Sequence, residues 1–136
     1  MRSLFTISLS FSAIVVGFLV SGAVAYDEER AKNNFASELV ECSAYFNIGS
    51  EGIRRTGKLE AAAQAEANSK VALDAARQYS KDEVVLARFK LALEAQANLI
   101  GHDYANLSLL ITKYGDICKR ALENPGDRLQ YWSDKE

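Results

Sequence analysis

Phe35-Ala36-Ser37-Glu38-Leu39-Val40-Glu41-Cys42-Ser43-Ala44-Tyr45-Phe46-Asn47-Ile48-Gly49-Ser50-Glu51-Gly52-Ile53 decides the fold. Within it Phe35, Leu39, Cys42, Phe46, Gly49 and Ile53 recur at alternating steps of four and three. That spacing returns each residue to the same side of a helix and draws one continuous seam. The spacing predicts a helix from about Asp27 or Ala31 to Arg55, with acidic Asp27, Glu28 and Glu29 at its positive end. Gly49 and Gly52 either admit a close neighbour or kink the helix.

Toward the C-terminus, Gly57 is a stop, and a second helix is expected from about Lys58 to Tyr79. It carries Leu59, Val71 and Leu73 among eight alanines, a composition that implies close packing. Ser80-Lys81-Asp82-Glu83 matches a capping box, so a third helix is expected to begin there. Its buried stripe is Val85, Phe89, Ala92, Leu93, Gln96, Leu99 and Ile100, and Gly101 suits the left-handed position after its end. Asp103 can cap a fourth helix, whose seam reads Tyr104, Leu107, Ile111, Tyr114, Cys118 and Ala121. That helix should end before Asn124-Pro125-Gly126-Asp127, because proline and glycine make continuation costly.

The expectation is therefore an all-α chain, an antiparallel four-helix bundle with a short C-terminal tail over 128–136. Nothing reads as a strand. A tetratricopeptide repeat is disfavoured, since no second copy appears 34 residues on.

Toward the N-terminus, Arg2 precedes an almost wholly apolar run from Leu4 to Val20, then Ser21-Gly22-Ala23-Val24-Ala25. Small Ala23 and Ala25 stand where a signal peptidase requires them, ahead of polar Tyr26-Asp27-Glu28-Glu29-Arg30. Residues 1–25 thus read as a signal peptide and 26–136 as a single helical domain of 111 residues. An uncleaved anchor is the competing reading, because the apolar run approaches the roughly 17 residues that can just span a bilayer.

The whole chain has 16 Lys plus Arg against 18 Asp plus Glu. Losing Arg2 with the leader leaves 15 against 18, a net charge of −3, with the signs interleaved. That balance gives no electrostatic reason to bind nucleic acid or an anionic membrane.

Cys42 and Cys118 are the only cysteines. Both lie on predicted core seams, and an exported protein meets an oxidising compartment, so a disulfide between helices 1 and 4 is expected. Free buried thiols and an intermolecular bridge are the alternatives. Redox catalysis ranks lower, because the pair is not Cys-x-x-Cys.

Counting ligands disfavours the usual chemistry of helical bundles. The single methionine is Met1 and the single histidine is His102, which leaves too few ligands for His-Met or bis-His haem within one chain. A carboxylate-bridged di-iron centre needs two Glu-x-x-His pairs, and copper handling needs Met or His clusters. No cofactor, metal site or catalytic residue is therefore assigned. His102 beside Asp103 reads first as a solvated or capping histidine, and Glu38 with Glu41 as a wet helix face. Arg54-Arg55 suits the negative end of its helix. Asn106-Leu107-Ser108 matches a glycosylation sequon by chance.

One group remains as a candidate partner contact. Arg128, Leu129, Tyr131 and Trp132 gather an arginine and two large aromatics, types enriched at interfaces. A tail that plugs one end of the core is the equal alternative.

Glu41-Cys42-Ser43-Ala44-Tyr45-Phe46, Tyr114-Gly115-Asp116-Ile117-Cys118-Lys119-Arg120, and Asn124-Pro125-Gly126-Asp127-Arg128-Leu129-Gln130-Tyr131-Trp132 together resemble small exported bacterial helical proteins of unknown function. The resemblance covers both ends of the domain and leaves the middle unmatched. It implies a bacterial envelope location, periplasmic or secreted, and supplies no activity. The functional expectation is a non-enzymatic exported protein acting on an unknown protein partner, as adaptor, inhibitor or accessory subunit. A carrier of a small apolar ligand between the helices is the alternative.

Overall fold

A computed structural model describes residues 21–135, in which every regular element is helical. Helix α1 spans Ser21–Arg55, α2 Leu59–Ala76, α3 Asp82–Leu99, α4 Leu107–Glu123 and α5 Pro125–Asp134, with a 3-10 turn at Tyr104–Asn106 leading into α4. Most of the expected signal peptide, residues 1–20, lies outside the described residues. The helix predicted to begin at Asp27 or Ala31 is already formed at Ser21.

α1 is the hub of this helical bundle, contacted by α2 most extensively and then by α3, α5 and α4. Its central part is accordingly buried around most of its circumference: Phe35, Ala36, Leu39, Val40, Cys42, Ala44 and Ile48 line the core, and Glu38, Ser43 and Ser50 are buried with them. The four-three seam marked only one side of that surface. Each neighbour meets α1 through a specific link. Ser43 faces α2, the backbone carbonyl of Glu41 accepts from Gln96 of α3, Cys42 meets Cys118 of α4, and Glu38 meets Arg128 of α5.

The α1–α2 contact depends on small side chains. The buried residues of α2 are Ala62, Ser69, Ala72 and Ala76, at steps of seven, three and four, which let the two backbones approach closely. Ser43 Oγ donates to Ser69 O and Ser69 Oγ to Ser43 O, each at 2.8 Å, so each hydroxyl satisfies the other helix. Of its three larger apolar residues, Leu59 and Val71 are exposed, and only Leu73 is half-buried against the core.

Helix ends follow local chemistry with two corrections. Gly57 has φ +79°, as a left-handed stop requires, and its amide donates to Arg54 O. Gly101 (φ +63°) and His102 (φ +56°) close α3 as a Schellman motif, with the His102 amide donating to Ala97 O and that of Gly101 to Asn98 O. Asp103 accepts from the Ala105 amide and so caps the 3-10 turn over Tyr104–Asn106; α4, which it was expected to cap, has Asn106 as its N-cap without a side-chain bond.

The capping box at Ser80 does not form. The Ser80 amide donates to Ala76 O and so closes α2, which ends three residues before Tyr79; Lys81 becomes the N-cap of α3 without a side-chain cap. Asp82 pairs instead with Arg77 at 2.6 Å.

Two stripe residues also shift. In α4 Leu110 is buried and Ile111 exposed, and in α3 Leu99 is exposed. The actual α4 row of Leu110, Tyr114, Cys118 and Ala121 has steps of four, four and three, set by what reaches α1. Gly52 leaves no room for a side chain: a Cβ there would run into Leu107 Cδ1 and lie 3.1 Å from Tyr104 Cδ1. Gly49 has nothing within 4 Å, so its place on the seam is not a contact requirement.

Candidate functional site

The residues singled out beyond Pro125 form a helix and not an irregular tail. Pro125 ends α4 but sits in the first turn of α5, where a missing N–H is no loss and its fixed φ is already helical. The helix repeat places Arg128, Tyr131 and Trp132 along one side, with Lys135 at the C-cap beside them. That side lies against α1 and α4 and walls a groove of about 360 Å³ with Glu38, Glu41, Lys113 and Tyr114.

Glu38 is the centre of this arrangement and corrects the reading of Glu38 as part of a wet face, since it is only 7% exposed. Its Oε1 accepts from Arg128 Nε at 2.8 Å, and its Oε2 accepts from Arg128 Nη2 and from Trp132 Nε1, the latter at 3.0 Å. The guanidinium fork thus meets the carboxylate at both oxygens, and the indole uses a remaining lone pair. Arg128 is itself largely covered, so the pair is screened far less than a surface ion pair. The Glu38 contact holds the Arg128 guanidinium above the ordinary arginine range. With three donors from α5 on its two oxygens, Glu38 is a clamp between α1 and α5.

The four candidate contact residues therefore divide. Arg128, Leu129 and Trp132 turn inward and are half-buried, whereas Tyr131 is 44% exposed. The Arg128 guanidinium lies 4.2 Å from the Tyr131 ring centroid, and Trp132 meets the same ring edge-on at 5.4 Å. Lys135 Nζ donates to Tyr131 Oη at 3.2 Å and stands 4.8 Å from the Trp132 ring. Tyr131 is thus presented in one orientation by three neighbours. Beside it, Glu41 forms no ion pair among the described residues. Glu41 stays exposed to solvent, and partial desolvation in the groove raises its carboxyl above the usual carboxylate range, opposed by nearby Lys113 and reinforced by Glu38.

Beneath the groove Cys42 and Cys118 form the expected disulfide, with Cα atoms 5.2 Å apart and both residues buried. It closes a loop of 76 residues, which in the chain-entropy account stabilises the fold by about 4 kcal/mol. The covalent link and the Glu38 clamp lie one helical turn apart on α1, so α4 and α5 are fastened to the same stretch.

Other residues considered from sequence are not assembled with this groove. His102 is exposed at the α3 terminus, with Nε2 2.9 Å from Asn98 Oδ1. Arg54 pairs with Glu51 and Glu66, while Arg55 pairs with Glu51 and stacks 4.2 Å over the Tyr104 ring. No group of three or more His, Cys, Asp or Glu side chains suited to a metal occurs among the described residues, and no described helix is long and apolar enough to cross a membrane.

Sequence reasoning missed Glu38 as a site residue. The available signal was its position inside the apolar run from Phe35 to Cys42, where a carboxylate needs a buried partner. Comparison with protein-family models, curated proteins and solved structures finds no match.

Proposed function

We propose that the chain is an exported, non-enzymatic helical protein of the bacterial envelope that works by contacting another protein, as an adaptor, inhibitor or accessory subunit. In this reading residues 1–25 are a signal peptide, α1 to α4 form an antiparallel four-helix bundle, and α5 closes one side of it. The resemblance of its two ends to small exported bacterial proteins supports the location, and the Cys42–Cys118 bridge suits an oxidising compartment.

The observation that carries the contact reading is Tyr131, a large aromatic left exposed while Arg128, Trp132 and Lys135 hold it in place. A pre-oriented aromatic loses little conformational freedom on binding, the property that makes such residues interface anchors. Because Arg128 and Trp132 hold α5 to the fold, the surface test uses Tyr131→Ala alone. Wild type should retain a specific protein from an envelope extract, identified by mass spectrometry. Tyr131→Ala should lose it with unchanged thermal stability, while Tyr26→Ala, at another exposed tyrosine, keeps it. Equal retention by wild type and Tyr131→Ala refutes the contact at α5.

A second reading, a carrier of a small apolar ligand, is supported by a separate cleft of about 280 Å³ between α1, α2 and α4, lined mainly by Tyr45, Phe46, Gly49, Ile53, Leu107 and Ile111. Native mass spectrometry of protein purified from its own envelope tests it, and a ligand-free mass counts against it.

A further inference from the structure

Net charge and interleaved signs argue against an anion site, but folding sorts the charges. A groove of about 940 Å³ lies between the stretch of α1 from Tyr26 to Asn33, the α2–α3 connection and the start of α3. Arg30, Lys32, Arg77, Lys81 and Arg88 line it against a single lining carboxylate, Glu29. Three of these cations are already engaged from outside the lining: Arg30 with Asp27, Lys32 with Glu28, and Arg77 with Asp74 and Asp82. Lys81 and Arg88 have no carboxylate partner among the described residues.

Arg88 is the unusual one. Its guanidinium is half-buried, Nη2 donates to the neutral Asn33 Oδ1 at 2.9 Å, and Nη1 is buried with no partner at all. Covering a cation without a counter-charge is unfavourable, and an unmet guanidinium donor adds a second cost. Lys81, the N-cap of α3, and Arg88, two turns into the helix, both line this groove, so a lysine side chain can reach toward the same ligand. Tyr79 and Ser80 add hydroxyl donors to the wall.

We propose that this groove binds an oxyanion, a carboxylate or phosphate group, with Arg88 as its principal ligand and Lys81 as a second. The proposal is independent of the α5 contact, since the groove shares no residue with it. A guanidinium forms charge-assisted hydrogen bonds to carboxylate and phosphate oxygens alike.

The test is thermal unfolding at pH 7 in sodium chloride, sodium phosphate and sodium acetate of matched ionic strength, for wild type, Arg88→Met and Lys81→Met. General salting effects of phosphate act on all three proteins alike, so the difference between proteins is the signal. Wild type should show a saturable rise in midpoint with phosphate or acetate beyond that in chloride. Arg88→Met should weaken the response about tenfold or more, the loss expected for a charge-assisted hydrogen bond. Lys81→Met should weaken it several-fold.

A response to phosphate alone names phosphate as the ligand group, and a response to acetate names carboxylate. In chloride, Arg88→Met should be no less stable than wild type, because it removes an uncompensated charge; a marked loss there would assign Arg88 to structure instead. No saturable rise in wild type, or an unchanged response in Arg88→Met, overturns the proposal. Should Arg88→Met fail to fold, an unchanged response in exposed Lys81→Met overturns it equally.

Discussion

Removing the charge of Glu38 while keeping its shape is the most direct probe of how α5 is held. Glu38→Gln leaves one carbonyl acceptor but strands the Arg128 guanidinium in a position only 12% exposed. Breaking a buried ion pair from one side typically costs about 3 to 5 kcal/mol, mostly from the charge left behind. The opening of the pair to a groove and the surviving amide oxygen reduce that here, to about 2 to 3 kcal/mol. Arg128→Met should cost a similar amount, since Glu38 would then keep only the Trp132 bond.

The double variant should cost clearly less than the two singles together, with a coupling of at least about 1.5 kcal/mol, because neither charge is then stranded. The assay is urea unfolding followed by tryptophan fluorescence and by far-ultraviolet circular dichroism. Trp132 is the only tryptophan and bonds to Glu38 itself, so its emission reports on the clamp. If α5 lifts off before the rest unfolds, the fluorescence midpoint in Glu38→Gln falls below the dichroism midpoint. Losses under 0.5 kcal/mol, with additive singles and unchanged Trp132 emission, would refute the reasoning and return Glu38 to the status of an ordinary surface carboxylate.

Replacing both cysteines by alanine should lower unfolding stability by up to about 4 kcal/mol through the freed 76-residue loop, measured by chemical denaturation. Gly49→Ala should stabilise by about 0.5 to 1 kcal/mol, since the helix gains from alanine and nothing opposes the new methyl. Gly52→Ala meets Leu107 and Tyr104 and should instead destabilise by about 1 kcal/mol or more, so the two thermal midpoints move in opposite directions. Glu41→Gln tests a pH effect. The fold raises the Glu41 pKa, so it favours the protonated form and is penalised by the charged one as pH rises through that value. The variant should be more stable than wild type at pH 7, with the difference vanishing below 4.5, the ordinary value for this group; a constant or reversed difference contradicts it.

What the sequence determined by itself was local. Helices over Phe35–Ile53 and beyond, stops at Gly57 and Gly101 and the break at Pro125 all follow from residues within a turn or two of one another. The pairing of Cys42 with Cys118 was legible because only two thiols exist and both fall on apolar seams.

Tertiary structure decided which charges are buried and which are exposed. Glu38 and Arg128 are 90 residues apart, and nothing near either one announces the other. α1 is surrounded, so its Ser and Glu positions belong to the interior although they interrupt its seam. In α2 the alanines and Ser69 pack while Leu59 faces outward, because close approach to α1 excludes larger side chains there. The Ser80 box lost to an amide needed at the end of α2, and cations scattered from Arg30 to Arg88 met around one groove. The physical reason is common to these cases. Helix formation and capping are set by neighbours along the chain, whereas burial and charge pairing are set by contacts that exist only once the helices have packed.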